Sequence, residues 1–480
     1  MRSGNLEKAG HSFTKRTRNL TLTILLAATI NLLIGQPAAQ SEPITPTVSS
    51  EQQIRRQVTS PADVLIVELK PGADRQQFDD LLQEVHGTYI RTINAGSSLQ
   101  FLVIQAAPGT TSDVEKKLRA DKNIAVVARN QIYRIHSGLE PVSVLTNGRE
   151  NEFLPSSHKI GKGAHPHNIY GHHSHRPQNP GSPPPIITGV PSDPYNVHQW
   201  DLAFMKFNDA RDSGNNTSNV ARFCFLDTGF NSFEDAPVVV TQYNFAGANP
   251  PGTQEAPFDS GFHGTATASV LAWTDNNIGL SGAANLEGQR CELTELRISE
   301  DGKSASLLSI TDALSFVVSN PSLRNTVVNL SFALRPPNTA NSEPMIQQLA
   351  AQLQQQGSLL VLAAGNYAVQ DPSPEQYARR VAAIDQSGKL APFSDFGPFY
   401  AAAPGARIAV YLPAFGNAIF TVDGTSLAAP RWTAAIGIVM AAANITAVQA
   451  DQIITQTATI NPQGYRVPNL RAALHQATGI

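Results

Sequence analysis

The stretch that decides the fold is GTSLAAPRWTAAIGIVMAAA, residues 424–443. Apart from Pro430, Arg431 and one threonine, every position after Ser426 is apolar or small, so a helix here would be buried on all sides. Proline is tolerated in the first turn of a helix, which places the helix start near Ser426. Because proline and arginine interrupt the apolar run, we predict a core helix over 426–443 and no membrane span.

Upstream of this helix, predicted strands and helices alternate from about residue 191. Such alternation is typical of an α/β domain with a central, mainly parallel sheet covered by helices on both faces. Roughly 290 residues are enough for one large domain of this class. The predicted strands are 220–226, 292–298, 327–330, 359–363 and 381–384, and the predicted helices begin near His263 and cover 306–318 and 345–355.

Residues 61–136 have the pattern of a smaller α+β domain. Apolar residues at 78, 81, 82 and 85 follow the spacing of one helix face. Ser112 and Glu115 have the spacing of a capping box at the start of a second helix. Two strand–helix–strand units in this order predict a ferredoxin-like fold. Its predicted strands are 64–69, 88–93, 99–105 and 124–127, with a short extra strand at 132–135.

The composition excludes several classes of protein. Charged residues make up 15% of the 480-residue chain, and the formal net charge is −3. Nucleic-acid binding needs clustered lysine and arginine, so we expect no nucleic-acid partner. Two cysteines are too few for a disulfide-rich scaffold or a four-cysteine zinc site. Hydrophobic residues at 41% can fill a core, which excludes a chain that is disordered as a whole.

The first 40 residues have the features of a secretory signal peptide. Five basic residues and one acid precede residue 19, an apolar run follows at residues 20–34, and small residues come next. We therefore predict secretion to the extracellular or periplasmic space, with residues 41–60 as a spacer. The run is shorter than the about 20 residues that span a bilayer. Only a signal segment that stays uncleaved would attach the protein to a membrane.

Residues 137–190 are a predicted linker rich in histidine, proline and glycine. Six of the twelve histidines lie here, together with three consecutive prolines at 183–185, and apolar residues recur with no period. The histidines could bind a transition metal. Because no fixed ligand geometry is implied, a solvated tract with incidental metal affinity is the favoured interpretation.

Four short motifs in residues 191–480 carry polar side chains at the ends of predicted elements. FLDTG (225–229) places Asp227 at the end of a strand, and FHGT (262–265) places His263 at the start of a helix. LAAGN (362–366) ends a strand on Asn366, and GTSLAAP (424–430) places Ser426 at a helix start. Each motif alone is typical of a turn or a helix cap. Together, in this order, they predict one site at the carboxyl ends of the strands.

These residue types fit nucleophilic catalysis. A serine hydroxyl is a weak nucleophile that needs a base, and histidine can accept its proton near neutral pH. A carboxylate fixes the histidine tautomer, and an amide donor stabilises the oxyanion of a tetrahedral intermediate. A helix N-terminus beneath the serine adds N–H donors and the positive end of a dipole.

The motifs resemble the catalytic segments of the subtilisin-like serine peptidases, whose chain order is Asp, His, Ser. The resemblance runs from about residue 193 to residue 474. It implies Asp227, His263 and Ser426 as catalytic residues and Asn366 as the oxyanion-hole residue.

The same resemblance implies that residues 61–136 are an inhibitory prodomain that assists folding, followed by a peptidase domain at 191–480. The chain is therefore expected to be a secreted serine endopeptidase that acts on polypeptides and is made as an autoprocessed zymogen. Its maturation point would lie near His136 or within the linker up to Pro191. The alternative is a catalytically inactive binding protein on the same scaffold.

Substrate binding is implied by the resemblance alone. NLSFA (329–333) resembles the strand that pairs with an extended substrate, which makes Ser331, Phe332 and Ala333 candidate substrate-binding residues. The family usually has glycine where Ala333 stands, so we expect an altered first specificity pocket. Further departures from the family motifs, none of which removes a catalytic group, are Ala266, Leu427, Ala429 and Arg431.

The resemblance implies no cofactor for the chemistry, although family members often hold structural calcium. Asp235 and Asn276 match the calcium-binding positions, and oxygen ligands suit this ion. Cys224 is expected on the sheet face opposite Asp227, and Cys291 opens the strand that, by resemblance, neighbours it. A disulfide can form in an exported protein. Two buried thiols are the favoured interpretation, because cross-linking adjacent parallel strands demands specific geometry.

Overall fold

The part of the chain that the structure describes contains twenty strands and ten α-helices. The computed structural model describes residues 61–134, 143–146, 149–152, 198–212, 220–232, 239–247, 250–272, 280–284, 290–334, 344–372, 376–412 and 418–479. The strands are β1 (Val64–Leu69), β2 (Thr88–Ala95), β3 (Leu99–Gln105), β4 (Ile124–Arg129), β5 (Ile132–Arg134), β6 (Ser143–Thr146), β7 (Arg149–Glu152), β8 (Val220–Asp227), β9 (Val239–Asn244), β10 (Thr253–Glu255), β11 (Arg290–Arg297), β12 (Ser304–Ser306), β13 (Val327–Leu330), β14 (Leu359–Ala363), β15 (Ala378–Ile384), β16 (Ala401–Pro404), β17 (Ile408–Leu412), β18 (Ala418–Val422), β19 (Thr459–Ile460) and β20 (Arg466–Val467). The helices are α1 (Arg75–Glu84), α2 (Thr111–Ala120), α3 (Trp200–Phe204), α4 (Phe207–Asp212), α5 (His263–Ala272), α6 (Leu307–Ser319), α7 (Pro344–Gln355), α8 (Thr425–Ala443), α9 (Ala447–Thr457) and α10 (Leu470–Thr478).

Ten strands form one large sheet in the order β10-β9-β11-β8-β13-β14-β15-β16-β20-β19. Every neighbouring pair is parallel except the two outermost pairs, β10 with β9 and β19 with β20. β13 and β14 are buried throughout, as expected for strands covered on both faces. The α/β fold class predicted from the sequence is confirmed.

Alternate residues of the strands enter two cores, one on each face of the sheet. On β8, Phe225 joins the core formed with α8, α9 and α10, whereas Leu226 joins the core formed with α6 and α7. Both side chains are completely buried. The period of two along a strand therefore divides the helices between the two faces.

Helix α8 lies in the first of these cores and is buried from Thr425 to Ala441. Within the described ranges, α8 is the one helix long and apolar enough to cross a membrane, and most of its apolar window is buried in the protein. The sequence predicted Pro430 in the first turn, but the helix begins at Thr425, so Pro430 lies beyond that turn. The missing N–H of this proline has a consequence for Ser426 that is described below.

The N-terminal domain forms its own antiparallel sheet in the order β2-β3-β1-β4. Helices α1 and α2 cover one face, and the other face shares a core with α6 and α7. This is the predicted ferredoxin-like arrangement. The predicted capping box is wrong, because α2 begins at Thr111, one residue before Ser112. Glu115 instead accepts hydrogen bonds from Arg119 and Arg129.

Three short strands follow β4, and two of them, β5 and β6, pair with distant parts of the chain. β5 pairs with β12, and β6 and β7 extend a small sheet in the order β17-β18-β6-β7. Residues 143–146 and 149–152 of the predicted linker are therefore strands. The predicted signal peptide, the spacer at 41–60 and the histidine-rich tract at 153–190 lie outside the described residues.

The two cysteines are separate, buried thiols. Cys224 on β8 lies opposite Thr294, and Cys291 on β11 lies opposite Ala221. Cys224 belongs to the core on the α6 face, whereas Cys291 belongs to the core on the α8 face. Because their side chains leave opposite faces of the sheet, a bridge between them does not form.

Candidate active site

Asp227 is the last residue of β8, and its carboxylate is completely buried. Its Oδ1 accepts a hydrogen bond from the Thr228 backbone N–H at 2.7 Å and lies 2.7 Å from Nδ1 of His263. Its Oδ2 accepts a hydrogen bond from the Thr267 hydroxyl at 3.0 Å. Both oxygens of the buried carboxylate are satisfied, so its orientation towards the imidazole is fixed.

His263 is the first residue of α5. Gly264 on this helix and Gly229 after β8 allow the helix to approach the strand closely. A Cβ atom on Gly264 would lie 2.0 Å from the Gly229 carbonyl oxygen and 3.1 Å from Asp227 Cβ. Gly229 has a φ of 119°, a conformation that residues with a side chain rarely adopt. The imidazole can reach the carboxylate because neither position carries a side chain.

A second buried carboxylate, Asp259, holds the turn before α5. Its Oδ1 accepts hydrogen bonds from the N–H groups of Gly261 and Phe262 and from the Thr228 hydroxyl. Its Oδ2 accepts from the N–H and the hydroxyl of Thr265 at 2.8 and 2.7 Å. Burial raises the pKa of Asp259, and the hydrogen bonds from Thr228 and Thr265 oppose that rise. Asp259 was not predicted from the sequence, although an acidic residue just before a predicted helix is a signal that could have identified it.

Glu295 on β11 is a third buried carboxyl in this region. The strand pairing sets Arg297 opposite Asp227, so Glu295 lies two residues back on the same face. Burial, together with the negative charges of Asp227 and Asp259, raises the pKa of Glu295 well above its ordinary value. These effects favour the protonated, uncharged form of Glu295 beside Asp227.

Ser426 is the second residue of α8 and is 4% exposed. Its hydroxyl and Nε2 of His263 are both buried, and neither has a hydrogen-bond partner among the described residues. The Phe332 ring lies edge-on to the imidazole with 5.8 Å between centroids, and the preceding Ser331 bonds to the backbone of Ser426. The two unpaired groups therefore border the same small region, where a substrate could engage both.

Pro430 frees the carbonyl of Ser426, because a helix carbonyl accepts from the N–H four residues later and proline has none. The Ser331 hydroxyl donates to this carbonyl at 3.0 Å. Asn329 Nδ2 donates to the Ser331 oxygen at 2.7 Å, and the Thr433 hydroxyl donates to Asn329 Oδ1 at 3.0 Å. This buried chain of hydrogen bonds joins the first turn of α8 to β13.

Asn366 follows β14 and faces the start of α8. Its Oδ1 accepts hydrogen bonds from the N–H and the hydroxyl of Thr425, at 2.9 and 2.8 Å. A Cβ on Gly424 would lie 3.8 Å from Asn366 Nδ2 and 2.9 Å from Ser426 Oγ, so the amide nitrogen and the hydroxyl approach the same point. The structure brings four sequence-predicted residues together: Asp227, His263, Asn366 and Ser426.

The Subtilase family model matches residues 219–476, which is more than half of the chain and includes all four of these residues. The chain belongs to the subtilase family. By this membership it is a subtilisin-like serine endopeptidase, and its N-terminal α+β domain is consistent with a prodomain.

Two relatives of this subtilase and one solved structure match it at low sequence identity. The thermostable alkaline protease of Halalkalibacterium halodurans is 29% identical over 266 residues, which cover 54% of this chain and 68% of the relative. Subtilisin Savinase of Lederbergia lenta is 28% identical over 244 residues, which cover 50% of this chain and 83% of the relative. A solved protease structure from Pseudoalteromonas arctica is 19% identical and covers 60% of this chain and 99% of its own, with a TM-score of 0.49.

The three residues expected to bind substrate in this subtilase have different surroundings. Ser331 is 3% exposed and donates to the Ser426 carbonyl. Phe332 is 1% exposed and packs in the core against His263. Ala333 is partly exposed, and its Cβ lies 3.3 Å from the position of a Cβ on Gly365. The side chains of Ser331 and Phe332 therefore support the site from within, whereas the Ala333 side chain is partly open to solvent.

The calcium ligands expected for the subtilase, Asp235 and Asn276, lie outside the described residues. Within the ranges that the structure describes, no three His, Cys, Asp or Glu side chains are grouped as metal ligands. A calcium site at Asp235 and Asn276 stays a prediction.

Proposed function

We propose that this subtilase hydrolyses internal peptide bonds of polypeptides, with Ser426 as nucleophile, His263 as general base and Asp227 as the carboxylate that orients the base. The observation that carries the proposal is the buried 2.7 Å contact between Asp227 and His263 beside a Ser426 hydroxyl that bonds to no described residue. A base fixed on one side and unpaired on the other is the arrangement that activates a serine.

In this mechanism Ser426 Oγ attacks the scissile carbonyl carbon while His263 Nε2 takes its proton. Asp227 accepts the Nδ1–H of His263 and stabilises the imidazolium. Asn366 Nδ2 and N–H groups at the start of α8 donate to the oxyanion, and loss of one such donor typically costs about 3 to 4 kcal/mol of transition-state stabilisation. His263 then protonates the leaving amine, and water hydrolyses the acyl-enzyme in the reverse order.

The proposal includes inhibition by the N-terminal domain, which acts as an intramolecular partner. β5 pairs antiparallel with β12, and Tyr133 of β5 is 2% exposed while Ile132 is 48% exposed. A short strand that adds to an edge and buries one side chain imitates a bound peptide. β12 follows Gly302, which packs against Gly261 in the turn before His263. A strand on this edge would therefore compete with a polypeptide substrate.

Polar contacts support the same inhibitory role. Arg91 on β2 donates two hydrogen bonds to Asp312 on α6, at 2.8 and 2.5 Å. Asn130, which follows β4, accepts a hydrogen bond from the Leu308 backbone N–H at 2.8 Å. Such bidentate and backbone contacts fix the register of one surface on another.

Export and maturation complete the proposal. The basic start and apolar run within residues 1–40 support removal of a signal peptide and secretion. The proposed boundaries are 41–60 for a spacer, 61–136 for the prodomain, 137–190 for a linker and 191–480 for the peptidase. Structural calcium at Asp235 and Asn276 belongs to the same proposal.

A fluorophosphonate probe tests the assignment of Ser426, because it labels an activated serine. We expect labelling of the processed wild type and of Ser315→Ala, a buried serine on α6, but not of Ser426→Ala. Labelled Ser426→Ala would contradict the assignment. A folded, processed wild type without label would favour the inactive binding protein on the same scaffold.

N-terminal sequencing of the wild type and Ser426→Ala, each expressed alone, tests self-maturation. The wild type should lose residues 61–136, whereas Ser426→Ala should keep them. Normal processing of Ser426→Ala would show that another protease removes the domain.

A further inference from the structure

Arg431 is the one charged residue among the departures from the family motifs, and it is 0% exposed. It lies on α8, five residues after Ser426, and forms an ion pair with Asp201 on α3, which is also 0% exposed. Burial raises the pKa of Asp201 and lowers that of Arg431, and the charge of each partner opposes the shift of the other. Removing two charges from water costs free energy of desolvation, which only close contacts of both groups can offset. The contacts of Arg431 therefore indicate what the pair does.

The same guanidinium contacts the helix that carries His263. Arg431 Nη1 donates to the backbone carbonyl of Val270 on α5. Val270 follows His263 by seven residues, so the two lie about 10 Å apart along one face of the helix. Carbonyls in the last turn of a helix lack helical partners, and a cation there interacts favourably with the helix dipole.

Helices α5 and α8 also share an apolar contact. Ala266 and Val270 of α5 and Leu427 of α8 belong to one buried cluster, and Trp200 of α3 packs against it. Apolar burial is non-directional, so it holds two helices together without setting their relative position along the contact. The hydrogen bond and ion pair of Arg431 are directional and supply that restraint.

We propose that Arg431, held by Asp201, is a positioning residue that sets the separation between Ser426 and His263. The inference rests on the proposed function. Ser426 and His263 stand at the starts of α8 and α5, and the Arg431–Val270 contact is a second tie between the same two helices. Loss of this tie allows the imidazole to shift relative to the serine, and a displacement of about 1 Å costs up to about 100-fold in rate.

The test replaces both charges together, as Arg431→Met with Asp201→Leu, because removal of one alone leaves the other unpaired in the core. We expect a folded enzyme whose kcat per titrated active site falls about 10- to 100-fold while KM changes by less than about twofold. A trace of wild type is added to each preparation to remove the N-terminal domain, so that slow self-maturation does not enter the comparison.

The matched control is Arg379→Met with Asp451→Leu. Asp451 pairs with Arg379 and accepts a hydrogen bond from Trp432 Nε1 at 2.8 Å, so this ion pair anchors α8 to α9 and β15. Because Trp432 Nε1–H loses its buried acceptor, we expect the control to lower the melting temperature and to leave kcat within about twofold of wild type. A purely structural role for Arg431 predicts the same result for both double variants.

Arg431→Lys provides a second variant in case the double replacement does not fold. Its ammonium keeps the charge but cannot copy the planar fork that serves Val270 and Asp201 together. We expect kcat to fall in this variant as well. If the folded Arg431 variants have the kcat of the wild type, the positioning role is wrong. An inactive, unlabelled wild type would instead contradict the proposed function, and the role of Arg431 with it.

Discussion

The Ser426 carbonyl depends on a side chain from another element, because Pro430 removes the N–H that a helix would supply. Ser331→Ala would leave this buried carbonyl unpaired, at a cost of about 1 to 3 kcal/mol in the free energy of unfolding. The first turn of α8 would also lose its link to β13, so we expect kcat to fall about tenfold with little change in KM. Steady-state kinetics on titrated enzyme and thermal melting measure the two effects.

Thr433→Val is the control for Ser331→Ala. It removes the far end of the hydrogen-bond chain through Asn329 but keeps the Ser331–Ser426 bond. Its effect on kcat should be smaller than that of Ser331→Ala. Equal kcat in the wild type, Ser331→Ala and Thr433→Val would show that these hydrogen bonds contribute only to stability.

Among the elements, β1 carries a carboxyl into the contact between the N-terminal domain and the peptidase. Glu68 follows Val64 and Ile66 on the face that shares a core with α6 and α7, and it is 9% exposed. Burial raises the pKa of Glu68, and a hydrogen bond with Gln348 on α7 opposes that rise. The bound domain therefore favours the protonated form of Glu68 more than the released domain does.

Inhibition should weaken with rising pH for this reason. The stabilisation is complete below the ordinary pKa of 4.5 and is lost as the pH rises through the raised pKa of the bound state. We expect Glu68→Gln to flatten the pH dependence of the inhibition constant of the domain added in trans, at pH values above the ordinary pKa of 4.5. Glu84→Gln, at a carboxyl that is 68% exposed, is the control. An unchanged slope in Glu68→Gln would assign the pH dependence to another group.

Across the whole molecule, the main sheet joins segments that are distant along the chain. Phe223 on β8 pairs with Val327 on β13, about 100 residues later, and Ala401 on β16 pairs with Arg466 on β20. Sheets of this kind fold slowly, because long loops must close before the contacts that stabilise the sheet can form. The N-terminal sheet packs on α6 and α7, and α6 lies in the connection between β8 and β13.

We therefore expect the N-terminal domain to speed folding. A Ser426→Ala chain without residues 61–136 should refold about tenfold or more slowly than the full Ser426→Ala chain, and the domain added in trans should restore the rate. Tryptophan fluorescence after dilution from denaturant measures this, and Ser426→Ala prevents self-digestion. Equal refolding rates would contradict a role for the domain in folding.

Local patterns were sufficient for much of the fold. β13 and β14 have the predicted bounds, and α8 begins one residue before the predicted start. An apolar run and the breaking residues at its ends are local features of the sequence, so they indicate an element without knowledge of the fold. β6 was not predicted, because its pairing partner β18 lies more than 270 residues later. The start of α2 was misplaced by two residues, since helix ends depend on individual hydrogen bonds.

The sequence by itself determined the order of the four motifs, the α/β class and the presence of a second small domain, because residue type and period are local properties. The tertiary structure decided which residues support the site: Ser331 beneath Ser426, the buried Glu295 beside Asp227, Asp259 in the turn before His263, and Arg431 between α8 and α5. Most of these contacts join segments far apart along the chain. Their distances follow from packing in three dimensions, which no local pattern of residues contains.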